Sequence, residues 1–321
     1  MVSRRNLVKT IAVGGLSMGS GIASSFTAGD ASMRDVRSLM PALSCDCHSH
    51  IIGPYDRFPM LESRRYTPPP ASVEDLETLH RKLGIERSVL VQPSFYGFDN
   101  ACLLAALQVL GPTARGVAAI PDDLAANELD RWRIAGITGI RINQAGGCKD
   151  PRILTGMIER AGKQAAELGW HVQLFLPLTV IASLARTIEA SPAVFVLDHF
   201  AGAKATGVRQ EGFDAVLGLM KAGRAYSKLS APYHEAQAPG YAGMGELAAA
   251  FINANPGQVL WGTDWPHTPW LRDTKETRES ISPFYPVDNM NLIEKFFEWV
   301  PDKTTQERIL VKNPAKLFGF S

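Results

Sequence analysis

Cysteine is scarce: the 321 residues hold only four, and none stands in a CxxC spacing. That argues against a zinc ribbon or a dithiol redox pair, and so few thiols in so long a chain speak against a disulfide framework. Charge of one sign is missing too. Lys and Arg number 33 against 32 Asp and Glu, a formal net charge of +1, so no one-signed field exists to recruit nucleic acid or an anionic membrane. No GxGxxG follows the first apolar strand, which argues against a dinucleotide-binding sheet. No internal repeat or low-complexity segment is visible. What is present is an ordinary globular composition, 45% hydrophobic and 20% charged, with material for one large core.

Residues 1–35 read as a leader rather than as fold. Ser3-Arg4-Arg5-Asn6-Leu7-Val8-Lys9 precedes a mild apolar stretch, Thr10 to Ile22, that is rich in Gly and Ser. It resembles a bacterial twin-arginine export signal followed by a linker; the alternative is a disordered basic tail. The stretch is too short and too glycine-rich for a spanning helix, and small residues between Ala23 and Ala31 could host cleavage. The resemblance implies export in the folded state, a periplasmic location and no membrane association after processing.

From residue 40 to 321, short apolar runs alternate with amphipathic stretches. Candidate strands are Ala42 to Cys47, Arg87 to Val91, Arg115 to Ile120, Gly139 to Ile142, His171 to Leu176, Val194 to Asp198, Ala225 to Leu229 and Val259 to Gly262. Candidate helices are Val73 to Leu83, Ala101 to Leu110, Leu124 to Ala135, Ile153 to Leu168, Val180 to Ala190, Phe213 to Ala222, Met244 to Asn255, Asn289 to Trp299 and Lys303 to Leu317. This alternation predicts an α/β fold, a single-domain (β/α)8 TIM barrel. The Pro-rich insert Gly53 to Pro70 follows the first strand, at the end where long loops cover active sites.

Functional groups of such a barrel sit at the C-terminal ends of its strands, and polar residues recur there. Alternation points Asp46, His48 and His50 into the mouth together and puts Cys45 and Cys47 on the opposite face as small buried hydrophobes. Arg141 and Asn143 end the fourth strand, Asp198-His199 the sixth and Asp264 the eighth. His171 reads as structural and His80 as surface, while His267 either lines the mouth or caps a helix.

Asp46-Cys47-His48-Ser49-His50, Leu197-Asp198-His199-Phe200-Ala201-Gly202, Trp261-Gly262-Thr263-Asp264-Trp265-Pro266-His267 and the closing Asn313-Pro314-Ala315-Lys316-Leu317-Phe318-Gly319 carry a resemblance. Over roughly residues 42–321 the chain resembles the amidohydrolase superfamily and its amidohydrolase-2 family. Within that family it is similar to the 2-pyrone-4,6-dicarboxylate lactonase and sugar-lactone hydrolase branch. The resemblance implies a hydrolase opening a lactone or related ester, carboxylated or plain. Asp264 would be the general base activating water, with His48, His50 and His199 polarising the carbonyl. Arg141 would bind a carboxylate, and Ser94, Lys228 and Tyr233 would supply further substrate contacts.

Metal-dependent relatives hold their ion with the paired histidines, a histidine ending strand five and the strand-eight aspartate. Phe175 occupies that strand-five position here and cannot ligate, so no cofactor is expected. The alternative is one divalent ion such as zinc on His48, His50 and Asp264. Gly146-Gly147-Cys148-Lys149 and Tyr233-His234-Glu235 stand where the pyrone-dicarboxylate enzymes have further arginines, which argues against assuming a dicarboxylate. Three other readings stay open: a metal-dependent hydrolase or decarboxylase, a lactone isomerase, and a periplasmic small-molecule binding protein. A homo-oligomer is compatible with all of them.

Replacing Arg4 and Arg5 together by Lys is expected to hold the protein in the cytoplasm. Fractionation of the expressing cells checks this, and unchanged secretion would remove the export signal.

Overall fold

The structure, a computed structural model, describes residues 37–121, 124–144, 147–148, 150–269 and 274–321. The 1–35 leader, and Gly146 and Lys149 of the segment after the fourth strand, lie outside the described residues. Eight strands alternate with helices: β1 (Cys45–Ser49), β2 (Arg87–Val91), β3 (Ala114–Ala118), β4 (Ile137–Asn143), β5 (His171–Phe175), β6 (Phe195–Leu197), β7 (Ala225–Leu229) and β8 (Val259–Trp261). They pair in parallel and in sequence order from β1 to β8. The seam closes where Asp264 N donates to the His48 carbonyl and His50 N to the Trp265 carbonyl, both at 2.8 Å. This is the expected (β/α)8 barrel, and among the described residues no helix is long and apolar enough to cross a membrane.

The predicted elements differ from the observed ones mainly where backbone conformation intervenes. β1 starts at Cys45 rather than Ala42 because Leu43 has φ +63°, a left-handed turn that extended chain cannot contain. β6 stops at Leu197 because His199, Phe200, Ala201 and Gly202 all take positive φ. The helix expected over 180–190 is two short ones, Leu178–Ser183 and Ala185–Ala190, broken at Leu184. The last predicted helix is interrupted by a wider turn at Arg308–Lys312, just before Pro314, which has no N–H to continue the ladder.

A lumen cluster gathers Cys45, Cys47, Val89, Val91, Val117, Val196, Tyr226 and Leu260, closed below by Phe318 and Phe320. Residues from six strands meet in one cluster only inside the barrel. Cys45 and Cys47 therefore face the lumen beneath the site, and Asp46 faces outward, the reverse of the predicted arrangement. The cause is local: the register of β1 against β2 shifts between Asp46 and Ser49, so His48 does not follow simple alternation from Asp46.

Asp46 is wholly buried and has become the peg of the seam. It accepts from Thr263 N at 2.9 Å, Thr263 Oγ1 at 2.5 Å and His48 N at 3.1 Å, and its Oδ2 lies 3.2 Å from His80 Nε2. His80, on the helix Val73–Leu83, is thus buried rather than on the surface. His171 is structural, as expected. It stacks edge-on against Phe318 in the lumen, and burial pushes its pKa down to about 3, so it stays neutral. Its seat requires Gly139, where a Cβ would stand 2.4 Å from the ring.

Asp46→Ala is expected to cost about 3 kcal/mol by leaving several buried donors unpaired. Urea unfolding at unchanged slope reads this directly; a loss below about 0.5 kcal/mol would show the seam to be held by other contacts.

Candidate active site

The site is built around one carboxylate. Asp264 follows Gly262, where a Cβ would lie 2.7 Å from His48 N, so only glycine lets β8 approach β1 this closely. Asp264 itself takes φ +63°, a conformation short polar side chains tolerate and bulky ones do not. Its Oδ2 accepts the Tyr233 hydroxyl at 2.6 Å. Its Oδ1 lies 3.5 Å from His48 Nε2, 3.5 Å from His50 Nε2 and 3.9 Å from His199 Nε2. Burial alone would push this carboxyl up, but the surrounding His199, His50 and His48 hold it well below the usual carboxylate range. Asp264 is accordingly a carboxylate, ready to accept a proton.

Each imidazole is oriented by its far nitrogen. His50 Nδ1 lies 2.6 Å from the Val91 carbonyl, which can only accept. Nδ1 therefore carries a proton, and Nε2 is the nitrogen turned to Asp264. His199 Nδ1 pairs with Ser230 Oγ at 2.9 Å, and His199 opens the left-handed run that turns its ring into the mouth. His48 is fully buried, and burial and the Lys228 ammonium keep it neutral by pushing its pKa well down.

Above the carboxylate lies a cavity of about 620 Å³, open mouth included, with His50, His199 and Asp264 in its wall. Arg141 and Ser94 line it, as the sequence suggested. Arg141 is also tied to the rim, donating to the Gln92 carbonyl and standing 3.7 Å from Asp198 Oδ2.

A family model described as Amidohydrolase matches residues 45–320. The chain belongs to the amidohydrolase family. It is similar to a 4-sulfomuconolactone hydrolase from Hydrogenophaga intermedia, 31% identical over 88% of this chain and 91% of that one. It is also similar to a 2-pyrone-4,6-dicarboxylate hydrolase from Comamonas testosteroni, 32% identical over 87% and 91%. A D-galactarolactone isomerase from Agrobacterium fabrum is 28% identical over 87% of this chain and 91% of its own. Among solved structures, one from Acinetobacter baumannii with citric acid bound, described as a probable 2-pyrone-4,6-dicarboxylic acid hydrolase, superposes with a TM-score of 0.74. It is 26% identical and covers 87% of this chain and 100% of that one.

Two predicted substrate contacts of this amidohydrolase do not line the cavity. Lys228 is wholly buried below it, with Nζ 2.8 Å from Gln173 Oε1 and 3.3 Å from Asp198 Oδ1. It stands one residue before the end of β7, with no exposed surface. Tyr233 gives its hydroxyl to Asp264 and shares it with His267 Nδ1 at 3.2 Å, so it holds the carboxylate. His267 also meets the Asn289 side chain at 3.1 Å, but the helix Asn289–Trp299 is capped by Asp288, so His267 is not its cap.

Conversely, the cavity wall contains Arg65 and Tyr66 of the Pro-rich insert, His234 and Phe175. The first pair was legible only as position, an insert at the covering end of the barrel. Arg64 donates to Thr67 Oγ1 at 2.6 Å and to the Arg278 carbonyl at 2.8 Å, which stitches the insert to the segment after β8. Its neighbour Arg65 faces the cavity. Arg65 is a second guanidinium at the site, beside Arg141.

Amidohydrolases commonly hold a divalent ion, and the donor atoms of His48, His50 and Asp264 lie close enough together to hold one. Phe175 is packed edge-on against His199 at 4.8 Å and adds no ligand, while His199 belongs to a second close group of donors with His48 and Asp198. His50 Nε2 suits such an ion. His48 suits it less, because the Lys228 ammonium lies 3.3 Å from its Nδ1.

Tyr233→Phe removes the bond that orients Asp264. Turnover is expected to fall about tenfold with KM nearly unchanged; steady-state kinetics check this, and a rise in KM alone would return Tyr233 to substrate binding.

Proposed function

We propose that this amidohydrolase opens a lactone by hydrolysis, with Asp264 as general base and no requirement for a metal. One observation carries the proposal: an ionised, buried carboxylate oxygen ringed by three imidazole nitrogens at the floor of a cavity with two guanidiniums in its wall. A water held on Asp264 Oδ1 gives up a proton to it while the water oxygen attacks the ester carbonyl. The negative charge that develops on the carbonyl oxygen is met by N–H donors from His48 and His199. When the tetrahedral intermediate collapses, the ring C–O bond breaks and the leaving oxygen takes the proton from Asp264. The product is a ring-opened carboxylic acid, and Asp264 returns to its starting state.

A divalent ion on His48, His50 and Asp264 would polarise the carbonyl as a Lewis acid. The metal-free reading is supported by Phe175 at the end of β5 and by the positive charge of Lys228 behind His48. Arg65 and Arg141 support a substrate with an anionic substituent, since a guanidinium pairs bidentately with carboxylate or sulfonate-like groups. The names of the relatives, a sulfomuconolactone and a pyrone dicarboxylate hydrolase, agree with that charge. The paired arginines of the leader support a periplasmic site of action.

A panel of anionic and neutral lactones, followed by proton NMR with and without chelator, tests this. Ring opening of anionic lactones unaffected by chelator is expected. Double-bond or ester migration without ring opening would make the enzyme an isomerase, and loss of activity on chelation restored by zinc would overturn metal independence. Asp264→Asn is expected to lower turnover by about 10³-fold or more while product binding changes by less than about threefold; an equal loss of binding would contradict its role as base.

A further inference from the structure

We propose that Lys228 is a positioning residue that fixes the tautomer of His48, so that the two histidines of His48-Ser49-His50 face Asp264 in opposite senses, His48 with its N–H and His50 with the ring nitrogen opposite its own N–H. An ammonium has three hydrogens to give and no lone pair. Lys228 Nζ has three neighbours: Gln173 Oε1 at 2.8 Å, Asp198 Oδ1 at 3.3 Å and His48 Nδ1 at 3.3 Å. The last contact is attractive only when Nδ1 bears a lone pair. The ring proton of neutral His48 then resides on Nε2, which lies 3.5 Å from Asp264 Oδ1.

The competing arrangement would place the proton on Nδ1, towards Asp198 Oδ1 at 3.2 Å. Neither that oxygen nor His48 Nε2 has a hydrogen-bond partner among the described residues, and the contact at hydrogen-bond geometry that the ring does make is the one with Lys228 Nζ. Asp198 has other partners, with Gln173 Nε2 donating to its Oδ2 at 3.1 Å and Arg141 at 3.7 Å. Geometry therefore favours the lysine as the group that sets His48. His50 is set the other way by the Val91 carbonyl, leaving its Nε2 towards the same carboxylate oxygen.

Two consequences follow. A donor is held permanently at the place where the carbonyl oxygen of a substrate gains charge. A divalent ion would need lone pairs on both Nε2 atoms, and the tautomer imposed on His48 withholds one of them. The catalytic part of this role rests on the hydrolytic function proposed above, whereas the tautomer does not.

Nitrogen-15 NMR of the imidazoles in the full-length protein, with His48 and His50 assigned from His48→Gln and His50→Gln, reads the tautomers without any activity. His48 protonated at Nε2 and His50 at Nδ1 is the expected result; His48 protonated at Nδ1 overturns the proposal, and this holds even if Lys228 variants fail to fold. Lys228→Met, close in volume, is expected to move the His48 proton to Nδ1 and lower kcat about 10²-fold with little change in KM. Zinc binding followed by calorimetry is expected to tighten about tenfold or more in that variant. Lys228→Arg keeps a donor and should recover part of kcat. A folded Lys228→Met protein with unchanged imidazole signals and unchanged zinc affinity would overturn the role. Absence of lactone turnover in the unaltered enzyme would remove the proposed function while leaving the tautomer assignment standing.

Discussion

An ionised carboxylate that has been taken out of water must be given donors, and at Asp264 most of the surrounding architecture serves that need. Its side chain is 4% exposed, and an uncompensated charge there would be protonated. Tyr233 satisfies one oxygen, and imidazoles from the ends of β1 and β6 surround the other. Bringing them together needs backbone that most residues resist: positive φ at His199 and Asp264, and a glycine at 262 where β8 touches β1. Such strain persists only where neighbouring contacts over-determine it. Asp46, bound to Thr263 and to His48 N, supplies that restraint from outside the barrel.

Below the carboxylate lies a second buried layer of charge, Lys228 with Asp198, Gln173 and Arg141. Buried ion pairs of this kind contribute little net stability, because desolvation offsets their attraction. Their value here is directional. Gln173 and Asp198 hold the ammonium under His48, and Arg141 links the layer to the cavity wall. The barrel is thus layered by depth, with apolar packing at the base, fixed charges in the middle and the imidazoles and carboxylate at the mouth.

Much of this was legible in the sequence because barrel strands are short apolar runs bounded by turns. β2 and β7 have the predicted bounds, and His48, His50, His199 and Asp264 meet at one point as their strand-end positions implied. Facing was less legible. The register shift in β1 exchanged the sides of Asp46 and the two cysteines, and nothing in the local residues signals an irregular pairing with a distant strand. The depth of Lys228, the burial of His80 and the attachment of Tyr233 to Asp264 depend on contacts 34 or more residues away for His80 and 31 for Tyr233. Arg65 went unnoticed because its role comes from a loop stitched to the other end of the chain by Arg64.

The central claim is that a water activated by Asp264 attacks the lactone carbonyl. Opening a lactone substrate in oxygen-18 water for a single turnover tests it directly. One heavy oxygen is expected in the new carboxylate and none in the released hydroxyl or enol oxygen. Label in that released oxygen, or a converted product with no label, would contradict it.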